Sequence, residues 1–316
     1  MDKKNIKIVF LGSADFSVPL LNFLIEEFTV SLIITEEDKA AGRGKKIVSP
    51  PTKILATTYN IPCLQPHKLK FNNELIEEIQ KQEPDILVVA AYGKILPKEL
   101  LNVAPGGCIN VHPSLLPKYR GPSPIQTALV NGDQETGVSI IKLNERMDAG
   151  DILVQEKVDI AENDTYELLA EKLAQCSSKN LVSVIPEYLN DKVELQKQDE
   201  TQATYCYMID KLDGKIDFTQ DADVIYNKYR AFHYWPNVFC FYKKLKFDLC
   251  EIKKTDLEID VSEYLSGQVF KFEGKVYVKC GNSALELQTV QIEGKKAVSI
   301  KDFINGHQDF IGSILV

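Results

Sequence analysis

Residues 108–151 read CINVHPSLLPKYRGPSPIQTALVNGDQETGVSIIKLNERMDAGD. Cys108 to Val111 is a short apolar run of strand length, stopped by Pro113 and followed by a Pro-rich turn. Ile125 to Val130 belongs to a helix, and Val138 to Leu143 is a strand, with another from Ile152 to Val158. Upstream, Ile6 to Leu11 is a buried strand ending in Gly12. Phe16 to Phe28 carries apolar residues at helical spacing (Phe16, Leu20, Leu21, Phe23, Leu24), and Thr29 to Ile34 is a second strand. Glu74 to Gln82 reads as helix, Asp85 to Ala91 (DILVVAA) as a buried strand, and Thr165 to Leu189 as a long helix. Strands spaced by helices predict an α/β domain with a parallel sheet covered on both faces.

Beyond this the texture changes. Asn190 to Thr204 has few apolar residues and reads as a linker. Asn237 to Lys254 and Gly267 to Ala297 alternate polar with apolar residues, with turns at Glu273-Gly274, Gly281-Asn282 and Glu293-Gly294. That spacing suits a small antiparallel barrel or sandwich. The expected organisation is residues 1–189, a linker at 190–207, and a β-rich domain at 208–316.

The chain has 316 residues, 44% hydrophobic and 26% charged, which excludes a disordered chain, a collagen and a coiled coil. No apolar run reaches the length of a membrane-crossing helix, and the first residues enter a strand with no signal-peptide core. A cytoplasmic protein is expected. The seven cysteines, at 63, 108, 176, 206, 240, 250 and 280, are odd in number and contain no CxxC pair. Reduced thiols are expected, with neither a disulfide framework nor a metal site. Net charge is −8, so any contact with nucleic acid must rest on local basic patches.

Several constellations carry possible chemistry. Gly12-Ser13-Ala14-Asp15-Phe16 supplies one of the three glycines of a dinucleotide fingerprint, so it reads as a strand-to-helix turn. Asn110 and His112 lie two apart on a strand, and period-two alternation puts both on one face at its carboxyl end. The Asn amide suits a developing oxyanion, and histidine changes charge near neutral pH. Asp148, in the turn Met147-Asp148-Ala149-Gly150, offers a carboxylate to orient the imidazole. Such a trio suits acyl transfer to an amine. The bland alternative is a capped strand end with a satisfied histidine. Cys108 shares the face by alternation, but nothing marks it as an activated thiol. Arg43, Lys45, Lys46 and Lys53 form a basic cluster in the loop AAGRGKKIVSPPTK, residues 40–53, which follows the acidic run Glu36-Glu37-Asp38. Lys243, Lys244 and Lys246, near Tyr242, Trp235 and His233, form a second patch. Both patches read either as solvated charge or as RNA contacts. Lys118 and Arg120 are cations next to the trio.

The run Asn110-Val-His112-Pro-Ser114-Leu115-Leu116-Pro117-Lys-Tyr-Arg-Gly resembles the signature of the formyltetrahydrofolate-dependent formyltransferases. Gly12–Pro19, Ala41–Lys46, Pro124-Ile125-Gln126 and Gly132–Ile140 resemble the branch that acts on aminoacylated tRNA. The resemblance spans nearly the whole chain. It implies a Rossmann-like, folate-binding first domain and an OB-like β-barrel second domain that helps hold tRNA. It implies formyl transfer from 10-formyltetrahydrofolate, as co-substrate, to the amino group of methionine on initiator tRNA, for translation initiation. Asn110, His112 and Asp148 match the catalytic trio. Ser114, Leu115, Leu116 and Pro117 match the loop bordering the folate, and Arg43, Lys45 and Lys46 match the tRNA-contacting loop. No metal and no obligate protein partner are implied. The alternative within the family is an amino-sugar nucleotide as acceptor. Pro113 stands where some relatives carry Gly.

Overall fold

The computed structural model describes residues 2–41, 46–255 and 259–316. Contacts divide the chain into two compact units. One comprises residues 1–124, 135–159 and 170–207, and the other residues 125–134, 160–169 and 208–316.

The first unit is built on a seven-stranded sheet. In chain order its elements are β1 (Lys7–Leu11), α1 (Ser17–Glu27), β2 (Thr29–Ile34), β3 (Lys39–Ala41), β4 (Lys46–Val48), α2 (Pro51–Tyr59), β5 (Cys63–Leu64), α3 (Asn73–Lys81), β6 (Ile86–Ala90), α4 (Lys98–Leu101) and β7 (Cys108–His112). After α5 (Pro124–Val130), nearly all of which belongs to the second unit, come β8 (Glu135–Lys142), β9 (Ile152–Asp159) and α6 (Tyr166–Leu189), which is in the first unit from residue 170 on. The strand order is β5-β2-β1-β6-β7-β8-β9, with β3 and β4 forming a separate hairpin. β1 and β6 are almost wholly apolar and buried along their length, as strands sandwiched on both faces must be. Val9, Leu11, Leu87, Val89 and Cys108 face one core layer, closed by Leu75 and Ile79 of α3 and Leu100 and Leu101 of α4.

The five strands from β5 to β7 are parallel. β8 and β9 are antiparallel additions, with β8 pairing β7 and β9 pairing β8. The expected parallel sheet is thus present over five strands and is extended at this edge by two antiparallel pairings. The short turn through Asp148 permits only an antiparallel β8–β9 pair, so β9 returns to the direction of β7 and β8 alone runs against the other strands. The order reverses at β1, the position in such sheets where ligands enter beyond the strands' carboxyl ends.

The second unit holds α7 (Ala222–Phe232), β10 (Phe239–Tyr242), β11 (Leu245–Lys254), β12 (Val269–Phe272), β13 (Lys275–Cys280), β14 (Ser283–Ile292), β15 (Val298–Ser299) and α8 (Ile300–Gly306). The antiparallel order is β10-β11-β14-β13-β12, with β15 added to β14. No ladder joins β10 to β12 among the described residues, so the sheet is a half-barrel. Tyr242, Phe247, Phe303 and Phe310 pack ring to ring in its core. The turns expected at Glu273-Gly274 and Gly281-Asn282 join β12 to β13 and β13 to β14.

Candidate active site

β7 ends on His112, and the chain then turns through residues 113–121. Alternation along β7 places Asn110 and His112 on one face of the strand, opposite Ile141 and Ser139 of β8. The turn between β8 and β9 brings Asp148 to the same place. Its Oδ2 lies 3.7 Å from His112 Nδ1, and both side chains are largely shielded. Asp148 adopts φ +49°, a left-handed conformation that aspartate tolerates better than most residues.

Backbone groups of the turn fix the pair. His112 Nε2 donates to the Tyr119 carbonyl at 2.9 Å, and the Gly121 N–H donates to Asp148 Oδ2 at 2.9 Å. A carbonyl only accepts, so Nε2 carries a proton and Nδ1 is the nitrogen turned to the carboxylate. The Asn110 amide, half-buried, bonds to no described residue and is available to a ligand. Cys108 follows the same alternation one step deeper. Burial pushes its thiol up to about 12 and its Sγ–H points to the Leu100 carbonyl, which excludes an activated nucleophile.

The segment 114–117 divides by side chain. Ser114 is buried and its hydroxyl donates to the Lys118 carbonyl at 2.6 Å. Leu116 packs against Ile141 and Ile152. Its N–H donates to Ser139 Oγ, and its carbonyl accepts from Gln155 Nε2. Leu115 and Pro117 keep partly open surface. Leu115 lies over Gly137, where a Cβ would come within 2.4 Å of its methyl group; a side chain at 137 would push this loop outward.

The cations distribute unevenly. Arg43 and Lys45 lie outside the described residues. Lys46 begins β4, and its neighbour Ile47 is 76% exposed. Lys53 is taken up by Asp38 at 2.8 Å and by Gln65 at 2.7 Å, and Lys39 pairs with Glu36. The acidic run thus neutralises flanking cations. Arg120, expected as a cation next to the trio, is completely buried in an internal network and offers nothing to a ligand. Lys118 is exposed. In the second unit Lys243 pairs with Asp309, and Lys246 pairs with Asp248 and covers the Phe239 ring. Tyr242 is a core residue, while Trp235 is exposed. Lys243 and Lys244 both take left-handed backbone at the β10–β11 turn. No cluster of three or more His, Cys, Asp or Glu side chains among the described residues is arranged to hold a metal.

The sequence reading missed the holders of the pair: the backbone of Tyr119 and Gly121, and the polar segment 196–206. The signal was faint, because main-chain groups carry no residue identity and polar residues between domains read as solvent-facing.

Asn110 and His112 at the carboxyl end of a parallel strand, with Asp148 brought to them and a partly open loop beside them, form the candidate site on a Rossmann-like sheet. The chain belongs to the formyl transferase family: the formyl transferase domain matches residues 6–185 and its C-terminal domain residues 208–308. The methionyl-tRNA formyltransferase of Caldicellulosiruptor saccharolyticus is 41% identical over 98% of this chain and 99% of that protein. That of Sulfurihydrogenibium sp. is 38% identical over 96% and 97%. Among solved structures, the sugar 3N-formyl transferase WlaRD, with dTDP and 5-N-formyl-THF present, has a TM-score of 0.64 at 20% identity, covering 92% of this chain and 99% of that one. HypX from Aquifex aeolicus matches at a TM-score of 0.65 and 14% identity over 97% of this chain, which spans 50% of the HypX chain. These last two likenesses concern the fold alone.

Proposed function

We propose that this chain transfers the formyl group of 10-formyltetrahydrofolate to the free amino group of methionine esterified to initiator tRNA. The observation that carries the chemistry is the His112–Asp148 pair facing each other beside the unengaged Asn110 amide. The acceptor is supported by full-length relatives that bear the methionyl-tRNA formyltransferase name.

The methionine amine attacks the formyl carbon, and the carbonyl oxygen becomes an oxyanion. Asn110 donates its amide N–H to that oxygen. One proton leaves the attacking nitrogen and one reaches the departing aryl nitrogen, by way of His112 and Asp148. Their 3.7 Å separation is wider than a hydrogen bond, so transfer requires the pair to close or a water to bridge it. No covalent enzyme intermediate is needed. Leu115 and Pro117 border the folate, with Ser114 and Leu116 shaping the loop beneath them. Residues 1–189 carry the reacting groups, residues 190–207 pack on them and lead to the second domain, and residues 208–316 engage tRNA. Arg43, Lys45 and Lys46 meet the acceptor-stem phosphates, where local cations matter most in a chain of net charge −8.

The test is formyl transfer from 10-formyltetrahydrofolate to methionyl initiator tRNA, methionyl elongator tRNA and a UDP-amino sugar in parallel. Formylation of the initiator alone is expected. Formylation of the sugar alone overturns the acceptor while keeping the donor and the trio.

A further inference from the structure

The reaction above gives no role to the segment 196–206, yet that segment packs against the catalytic turn at every level. Gln196 pairs with Ile152 at the start of β9. Thr204 accepts from the Arg120 N–H at 2.9 Å and donates its own N–H to the Pro117 carbonyl, and Cys206 N–H donates to the Arg120 carbonyl at 2.8 Å. The Thr204 hydroxyl oxygen accepts from the Tyr119 N–H.

Arg120 sits at the centre. A fully buried guanidinium is costly unless its donors are matched. Here Nε and Nη2 donate to Gln198 Oε1 at 3.0 and 2.7 Å, and Nη1 and Nη2 donate to the two Glu200 oxygens at 3.1 Å each. Glu200 also receives Arg146 at 2.6 Å. The far end of Gln198 donates from Nε2 to the carbonyls of Asp148 at 2.8 Å and Gly150 at 2.7 Å.

The consequence is a closed loop of contacts. Asp148 is held at its carboxylate by Gly121 and at its own carbonyl by Gln198. His112 is held by Tyr119. Tyr119 and Gly121 flank Arg120, which Gln198 grips from the other side. The left-handed backbone at Asp148 is not its lowest-energy conformation, so an external hold decides where its carboxylate points. We propose that Gln198 is a positioning residue for the reaction. Braced by Arg120 and Glu200, it fixes the Asp148 turn against the 119–121 backbone and thereby sets the imidazole–carboxylate geometry. This rests on the assignment of His112 and Asp148 to the chemistry.

The test uses the full chain with saturating initiator tRNA. Gln198→Glu keeps an acceptor for Arg120 but removes both donors to the Asp148 turn. It is expected to lower kcat about 10- to 100-fold with both KM values nearly unchanged, the range typical of lost orienting contacts. The discriminating measurement is the cycle with Asp148→Ala. Once the carboxylate is gone its placement no longer matters, so Gln198→Glu then changes the residual single-turnover rate by less than about twofold. An equal loss in both backgrounds overturns the proposal, as does a folded Gln198→Glu protein with unchanged kcat. Glu200→Gln, at a side chain 48% exposed, is the second variant. It weakens only the brace and is expected to lower kcat about threefold or more, and an unchanged kcat counts against the proposal. If Asp148→Ala itself turns over at the wild-type rate, the assignment of the trio fails instead, and the inference falls with it.

Discussion

Removing the Asn110 amide separates binding from chemistry at this site. Asn110→Ala deletes an amide NH2, with its two N–H donors, and a carbonyl acceptor from a half-buried position on β7. Because the amide bonds to no described residue, its loss orphans no group among the described residues. The cost to folding is then confined to a few methylene-sized contacts, under about 1 kcal/mol, or a shift in Tm of no more than a few degrees. The cost to the reaction is different in kind. Loss of one oxyanion donor typically costs about 100- to 1000-fold in kcat, or about 2.7–4 kcal/mol. If the amide meets the oxygen only as charge develops, that loss falls on kcat and leaves KM for folate and tRNA nearly unchanged. The assay is single-turnover formylation at saturating donor, with methionyl- and formylmethionyl-tRNA separated on acid gels, alongside thermal unfolding. A variant that keeps more than about a tenth of the wild-type rate refutes the oxyanion assignment. So does a rise in folate KM that accounts for the whole loss, which would make Asn110 a ground-state contact.

Gly121→Ala introduces a Cβ at φ +117°, 2.5 Å from the Cys206 carbonyl, and is expected to cost about 2–6 kcal/mol in denaturant unfolding while lowering kcat; wild-type stability would show that the 121–206 approach is loose. Glu200, held down to about 2 by Arg120 and then Arg146, has a folded value below its ordinary 4.5. Its stabilisation is therefore complete above about pH 4.5 and is lost as pH falls toward 2. Glu200→Gln should unfold more easily at neutral pH and show a flatter acid limb in that window, whereas parallel curves for the two proteins would remove the ion pairs from the account. Arg43→Ala should weaken tRNA engagement and spare folate binding, read as the slope of affinity against salt; an unchanged slope removes the loop from the interface.

The legible and illegible parts of the molecule differ in physical kind. Strands buried on both faces announce themselves, because burial leaves only apolar residues: β2 spans Thr29–Ile34 as read, and β6 falls within Asp85–Ala91. The shared face of Asn110 and His112 was legible because period-two alternation and a strand-ending proline fix where side chains point. Direction was not legible at β8 and β9, since a strand's composition is the same whichever way it runs. α2 was missed because Pro50-Pro51 reads as a breaker, although proline at a helix's first position is well tolerated. α7 was missed because aromatic and charged residues obscured its periodic Ile225 and Tyr229. Residues 190–207 show the deeper limit. Their polarity resembles that of a solvated linker, yet from Gln196 onward polar side chains and backbone are spent on β9 and on the turns that carry Arg120 and Asp148.

That last point bears on how the site keeps its shape. A buried arginine adds little net stability, since the desolvation of the guanidinium offsets much of its attraction to Glu200. What it supplies is direction: a planar fork that accepts only certain placements of Gln198 and Glu200. An apolar residue at 120 would fill the same space and leave Gln198 unbraced where it meets the Asp148 turn. With the Glu200 carboxyl near 2, the brace also stays charged throughout the neutral range.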